Sequence, residues 1–205
     1  MIYVTQLLLN PRCKQVQSEL RNPYEMHRTL SRAFPDSHEP YSEARCLFRV
    51  DEGKGASDLR LIVQARVLPD WEYLANISDY LCGPPETKSV QPQLTVGQTL
   101  AFRLRANPTV KTDGKIRALD TEEAQIDWLV RKSEANGFAL TAARTKGGDV
   151  IRFRTTRQFD TVLYVVTLEG MLRVTDAARL GEAMDSGIGR AKAFGCGLLS
   201  LARRT

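Results

Sequence analysis

The sequence predicts an α+β chain made of two tandem βαββαβ domains with antiparallel sheets. Segments such as ARCLFRV (44–50) and QTLAFRLRA (98–106) alternate apolar and polar residues, the period of a half-buried strand. Stretches with apolar residues at helical spacing lie between the strands. Beyond residue 92 the same order of elements begins again.

MIYVTQLLL reads as the first strand. A polar loop follows, then YEMHRTLSRAF (24–34), where Met26, Leu30, Ala33 and Phe34 form an apolar helical stripe. In ARCLFRV, Cys46, Phe48 and Val50 face one way, Arg45 and Arg49 the other. DEGKGASD is a hairpin turn and LRLIVQA (59–65) the returning strand. Asp70 caps a second helix with Trp71, Leu74, Ile77 and Leu81 inward. Gly83-Pro84-Pro85 stops it, and a short strand around 88–91 closes the unit. That order is the ferredoxin-like (RRM-like) arrangement.

QTLAFRLRA opens the second unit, with Leu100, Phe102 and Leu104 inward and Arg103 and Arg105 outward. It is compatible with pairing to either sheet. A turn-rich, basic connection (NPTVKTDGK) leads to Asp120 and Glu123, a capping box for a helix carrying Ile126, Leu129 and Val130. Asn136-Gly137 stops that helix. Strands are expected at 138–144, 150–155 and 162–174. A helix from Thr175 carries Leu180, Met184 and Ile188, and LLSLA (198–202) is the last strand. The expected domains are residues 1–91 and 92–205.

With 42% hydrophobic residues over 205 positions the chain can bury a proper core, and its net charge is +5. A basic balance suits a polyanion, but an ordinary soluble protein carries +5 equally well. Cys13, Cys46, Cys82 and Cys196 lie far apart with no C-x-x-C pair, so no zinc site is expected. No window approaches the ~20 apolar residues of a membrane helix. The N-terminus has no basic segment of the kind a signal peptide carries. The expectation is a cytoplasmic protein with reduced thiols.

SGIGRAKAFGCGLLSLARR (186–204) places Gly187, Gly189, Gly195 and Gly197 around Arg190 and Lys192, between the last helix and the last strand. A Walker loop needs a lysine-serine or lysine-threonine pair, and a Rossmann fingerprint needs strand, glycines, then helix; neither is present. Glycines permit positive φ and close backbone approach, so successive N–H groups can point at an anion. A tight helix-to-strand turn would explain one glycine pair. Two pairs flanking R-x-K favour phosphate, and alanine at Gly189 and Gly195 is then expected to weaken binding of that phosphate more than folding.

GIGRAKAFGCG (187–197) resembles the C-terminal glycine-rich signature of the repeat-associated RNA-binding proteins of CRISPR systems. Tyr24-x-x-His27 and FRLRANPTV (102–110) make the chain similar to one branch, the CRISPR repeat-processing endoribonucleases of type I-E systems (the CasE subunit of the Cascade complex). The resemblance covers essentially the full length. It implies binding of the stem-loop of precursor CRISPR RNA repeats and cleavage on the 3′ side of the stem. The 2′-hydroxyl attacks the adjacent phosphate without metal or other cofactor, leaving a 2′,3′-cyclic phosphate and a 5′-hydroxyl. The crRNA is then retained among the other Cascade subunits.

That chemistry needs a base near the 2′-hydroxyl, an acid near the leaving oxygen, and donors for the phosphorane. His27 is suited to proton transfer, since an unperturbed imidazole titrates at about 6.5. At about 100° per residue, Tyr24 lies about 60° from His27, so the two share a helix face. A histidine at a helix margin is more often structural; the family match reverses that reading and makes His27 acid or base, with Tyr24 orienting the 2′-hydroxyl or stabilising charge. His38 lies in a Pro- and Glu-rich loop and is read as solvated. The group for the second proton transfer stays open.

RTKGGDVIRFRTTR (144–157) reads as a basic hairpin with its turn at Lys146-Gly147-Gly148-Asp149 and with Arg152 and Arg154 opposite Ile151 and Phe153. Arg144 and Arg157 complete the ribbon. A solvated edge strand is its bland reading; the family places such a hairpin at the base of the repeat stem. Arg28, Lys111, Lys115 and Arg117 are further RNA-binding candidates. Neither sheet shows an aromatic platform for single-stranded bases, which points to a structured RNA. The alternative is a non-catalytic subunit that binds the crRNA 3′ hairpin and organises assembly.

Overall fold

A computed structural model describes residues 1–34, 44–53, 59–155 and 160–203. The chain forms two compact units. Residues 1–91 with 152–161 and 193–195 make the first; 92–151, 162–192 and 196–205 make the second. Two short segments of the expected second domain thus pack with the first unit.

In the first unit β1 (Ile2–Leu9), β2 (Leu47–Glu52), β3 (Leu59–Ala65) and β4 (Glu86–Val90) form an antiparallel sheet in the order β2-β3-β1-β4. β1 is central, with Leu7 opposite Leu61 and Val4 opposite Lys88. Leu7, Leu9, Leu61, Met26 and Leu30 form part of the core. Residues 54–58 of the expected β2–β3 turn lie outside the described residues.

The polar loop expected after β1 contains a helix, α1 (Lys14–Arg21). Its inward residues are Val16 and Glu19, so it carries almost no apolar stripe. The buried Glu19 carboxylate instead accepts from Thr29 Oγ1 at 2.6 Å, from Gln15 Nε2 at 2.8 Å and from the Tyr80 hydroxyl. Satisfied in this way, a buried carboxylate can replace an apolar residue in a helix interface. α2 (Pro23–Ser31) follows directly, with Met26 and Leu30 buried. Tyr73 donates to the Thr29 carbonyl oxygen at 2.6 Å, tying the end of α2 to the 71–80 segment.

The expected second helix is only a 3₁₀ turn, Glu72–Asn76. Asp70 accepts from the Glu72 N–H at 2.9 Å, so the cap is present. The chain then closes i→i+3 bonds at Leu74 and Ile77 and reaches Asp79 at φ 57°, a left-handed angle that no α-helix continues through. Trp71 and Leu74 are nonetheless buried. Arg49, expected to face outward, is 4% exposed. Asp51 takes both its Nε and Nη2, at 2.7 and 2.9 Å, and this bidentate pair makes its burial tolerable.

In the second unit β5 (Thr99–Ala106), β8 (Phe138–Arg154), β9 (Asp160–Val174) and β10 (Leu199–Arg203) are ordered β10-β5-β9-β8, with β5 pairing antiparallel to β9 and β10. Residues 152–154 of β8 and 160–161 of β9 belong to the first unit. The basic connection is a hairpin of β6 (Thr109–Thr112) and β7 (Lys115–Ala118). Asp113 and Gly114 both take positive φ at its turn, as a type I′ hairpin requires.

α3 (Glu122–Ala135) is capped by Thr121, whose Oγ1 accepts from the Ala124 N–H at 3.3 Å, one residue later than the Asp120 expectation. Its inner face is Gln125, Trp128 and Leu129, whereas Val130, expected inward, is 43% exposed. α4 (Ala177–Ser186) is capped by Asp176 and buries Leu180 and Met184. No helix among the described residues is long and apolar enough to cross a membrane.

The largest correction concerns the basic hairpin. β8 runs unbroken through the expected Lys146–Asp149 turn as far as Arg154, and β9 begins at Asp160; residues 156–159 lie outside the described residues. Gly147 has φ 67° within the strand, and a Cβ on Gly148 would lie 2.8 Å from the Tyr164 hydroxyl. The Gly-Gly pair therefore makes room for a tyrosine of the neighbouring strand instead of turning the chain.

Candidate functional site

α2 carries Tyr24, His27 and Arg28. Its start is fixed by sequence: Pro23 is pre-set at the first helical position, and the Asn22 Oδ1 accepts from the Tyr24 N–H at 3.2 Å. Tyr24 and His27 are half-buried. Burial pushes the His27 pKa below the ordinary 6.5, because the imidazolium loses hydration there. Its neutral form, a proton acceptor, therefore prevails at pH 7. Arg28 is exposed and pairs with Glu25 at 3.0 Å.

The end of β8 belongs to this same unit. Asn22 Nδ2 donates to the Arg154 carbonyl oxygen at 3.3 Å. Phe153 is buried and meets Phe194 edge-on, with ring centroids 4.9 Å apart. Arg152 and Arg154, on either side of it, are exposed. Arg154 Nε donates to Asp160 Oδ1 at 2.7 Å. Arg157 and His38 lie outside the described residues.

In the second unit Lys111, Lys115 and Arg117 are exposed on the β6–β7 hairpin. Arg144 and Lys146 are exposed on β8, where Arg144 lies 3.6 Å from Glu169. The structure thus brings Tyr24, His27, Arg28, Arg152 and Arg154 into one unit and leaves these five cations, with Arg190 and Lys192, in the other.

Gly187, Gly189, Gly195 and Gly197 all have φ between 74° and 92°. A Cβ would lie 3.0 Å from Trp128 at Gly189, 3.0 Å from Phe48 at Gly195 and 3.2 Å from the Ile188 carbonyl oxygen at Gly197. The N–H groups of Gly187, Ile188 and Gly197 donate to the carbonyl oxygens of Ala183, Gly197 and Arg105. The loop is therefore shaped by close packing and internal hydrogen bonds, with exposed Arg190 at its crest and half-buried Lys192 beyond.

Sequence reasoning missed Asn22, although Asn-Pro ahead of a helix is a readable cap signal. It also missed Asn107 and Lys132, whose surroundings depend on elements far apart in the chain. Among the described residues no cluster of His, Cys, Asp and Glu could hold a metal ion.

Two ferredoxin-like units, a half-buried Tyr–His pair on the first unit's helix and a glycine-rich loop before the last strand define a tandem ferredoxin-like protein with a candidate proton-transfer site. The chain belongs to the family described as CRISPR associated protein, which it matches over residues 2–203. It is 36% identical to the CRISPR-associated endoribonuclease Cse3 of Thermus thermophilus, over 98% of this chain and all of that protein. It is 31% identical to the CRISPR system Cascade subunit CasE of Escherichia coli strain K12, over 89% of this chain and 92% of that protein. Among solved structures it is similar to the CRISPR endoribonuclease Cse3 bound to a 19-nucleotide RNA. There the TM-score is 0.84 at 34% identity, covering 98% of this chain and 99% of the other.

Proposed function

We propose that the chain is a CRISPR endoribonuclease that binds the stem-loop of a precursor repeat RNA, cuts on the 3′ side of the stem and keeps its product as a Cascade subunit. The observation that carries the reading is the half-buried, neutral-leaning His27 beside Tyr24, in a chain that aligns end to end with an endoribonuclease.

The reaction is a transesterification. A base removes the 2′-hydroxyl proton, the 2′-oxygen bonds to phosphorus, and the bond from phosphorus to the 5′-oxygen breaks as that oxygen is protonated. On this reading His27, acid or base by the family resemblance, takes the first proton, a role its lowered pKa supports, and Tyr24 orients the attacking hydroxyl or stabilises charge. Negative charge builds on the phosphorane oxygens, and the cations of α2 and of the end of β8 supply the opposing field. Arg144, Lys146, Arg152, Arg154, Lys111, Lys115 and Arg117 act mainly on phosphates, since the deep, narrow major groove of A-form RNA hides base edges.

The test is single-turnover cleavage, in EDTA, of a labelled hairpin carrying the source organism's CRISPR repeat, beside a copy with a 2′-deoxy sugar at the cut. Cleavage of the first alone, with a cyclic phosphate on the upstream fragment, is expected. Tight binding without cleavage would make the chain an assembly subunit.

A further inference from the structure

We infer that a pocket in the second unit, walled by Asn107 and Trp128 and rimmed by Lys111, Lys132 and Arg190, takes one nucleotide of the bound RNA, with its phosphodiester on the cations and another polar group on the Asn107 amide. This rests on the RNA-binding reading above.

Asn107 is only 8% exposed, yet its side-chain amide makes no hydrogen bond with the described residues. Its polar atoms are not among the fully buried unpaired ones, so the amide keeps contact with solvent and is open to a ligand. Asn107 lines a cavity of about 280 Å³, near the ~300 Å³ lower bound of small-ligand sites, a size that suits one nucleotide. The amide offers both donors and acceptors, the pairing a ribose or base edge requires.

The rim comes from separate elements. Lys111 lies on β6, and Lys132 stands one helical turn beyond Trp128 on α3. Arg190 is delivered by Gly189, whose φ of 89° and missing Cβ let the loop pack where a Cβ would come within 3.0 Å of the Trp128 ring edge. None of the three cations forms an ion pair with the described residues, and no carboxylate is among the described lining residues. Cations gathered around an unpaired amide without a counter-charge fit a phosphate ester. The sequence had marked Lys111 and Arg190 as separate contacts; the fold joins them and adds Lys132 and Asn107.

The experiment measures affinity of the full chain for the repeat hairpin, synthesised with hydroxyls at both ends, across a salt series. Variants are Lys132→Gln, Asn107→Asp and, as a control on exposed α1, Lys14→Gln. Lys132→Gln is expected to weaken binding roughly five-fold at ~0.1 M salt and to reduce the salt slope by about one phosphate. Asn107→Asp, with repulsion added, is expected to weaken it about ten-fold or more, with melting curves showing that it is folded. Lys14→Gln should match wild type. Wild-type affinity and slope in Lys132→Gln would overturn the pocket while leaving the RNA reading intact. A wild-type chain that does not bind the hairpin would overturn both.

Discussion

Asn22 connects the helix of Tyr24 and His27 to the end of β8: its Oδ1 accepts from the Tyr24 N–H at 3.2 Å, and its Nδ2 donates to the Arg154 carbonyl oxygen at 3.3 Å. One amide thus caps the candidate catalytic helix and holds the backbone at Arg154, a proposed RNA contact. The two tasks separate by substitution. Serine preserves a good cap but is too short to reach Arg154, whereas alanine loses both. Asn22→Ala should lower stability by about 1 kcal/mol and Asn22→Ser by much less. Both should weaken hairpin binding, read by titration beside thermal melting. Wild-type affinity in Asn22→Ser would show that the ribbon end needs no such tether.

Removing His27 should cripple cleavage and spare recognition. General acid–base assistance contributes about 10²–10⁴-fold, so His27→Ala should lose that much single-turnover rate while hairpin affinity stays within about two-fold. Cleavage at the wild-type rate would move the proton-transfer role to another residue.

The depressed His27 pKa has a definite sign. The folded state disfavours imidazolium, so the stability contributed by this group is complete above pH 6.5 and is lost as pH falls through the lower, folded value. Imidazole NMR of the free protein should show a midpoint below 6.5 that is absent in His27→Ala, which separates it from His38. Added RNA should raise that midpoint, since phosphates favour the cation. A midpoint above 6.5 in the free protein would contradict the burial argument.

The order of elements was legible because both sheets bury one face, and burial of one face forces the alternation seen at 44–50 and 98–106. α1 was not, because its inward position is a carboxylate, Glu19, whose partners lie elsewhere in the sequence. Lys146–Asp149 looked like a turn because Gly-Gly permits one; only the neighbouring Tyr164 reveals that the glycines clear a side chain. The Tyr24–His27 pair was legible from local helical geometry and the family resemblance. Asn107 could not be read, since its lack of a partner is a property of the folded unit.

Asp160 pairs with Arg154, a cation proposed to meet the RNA. Arg154 and Asp160 pair at 2.7 Å with side chains 74% and 75% exposed, so solvent screening leaves the pair little weight in stability. Asp160→Asn should leave the melting temperature unchanged while tightening hairpin binding and steepening its salt dependence by up to about one phosphate. Unchanged binding would place Arg154 away from the RNA.

The glycine loop makes the last prediction, with a sign opposite to the one sequence alone suggested. Alanine at Gly195 must adopt φ near 78° with its Cβ 3.0 Å from Phe48, and alanine at Gly189 φ near 89° beside Trp128. A left-handed non-glycine residue costs about 1–3 kcal/mol before any contact is counted. Gly181 is the internal contrast: it lies within α4, and a Cβ there meets nothing within 4 Å. Replacing it with alanine should stabilise by about 0.5–1 kcal/mol. Melting temperatures should therefore fall for Gly189→Ala and Gly195→Ala and rise for Gly181→Ala. Hairpin affinity, measured well below each midpoint, should change little in Gly195→Ala if the glycine shapes the loop and the cations, as proposed, meet the phosphate. If Gly195→Ala instead melts like wild type and loses the RNA, the loop backbone itself holds the phosphate.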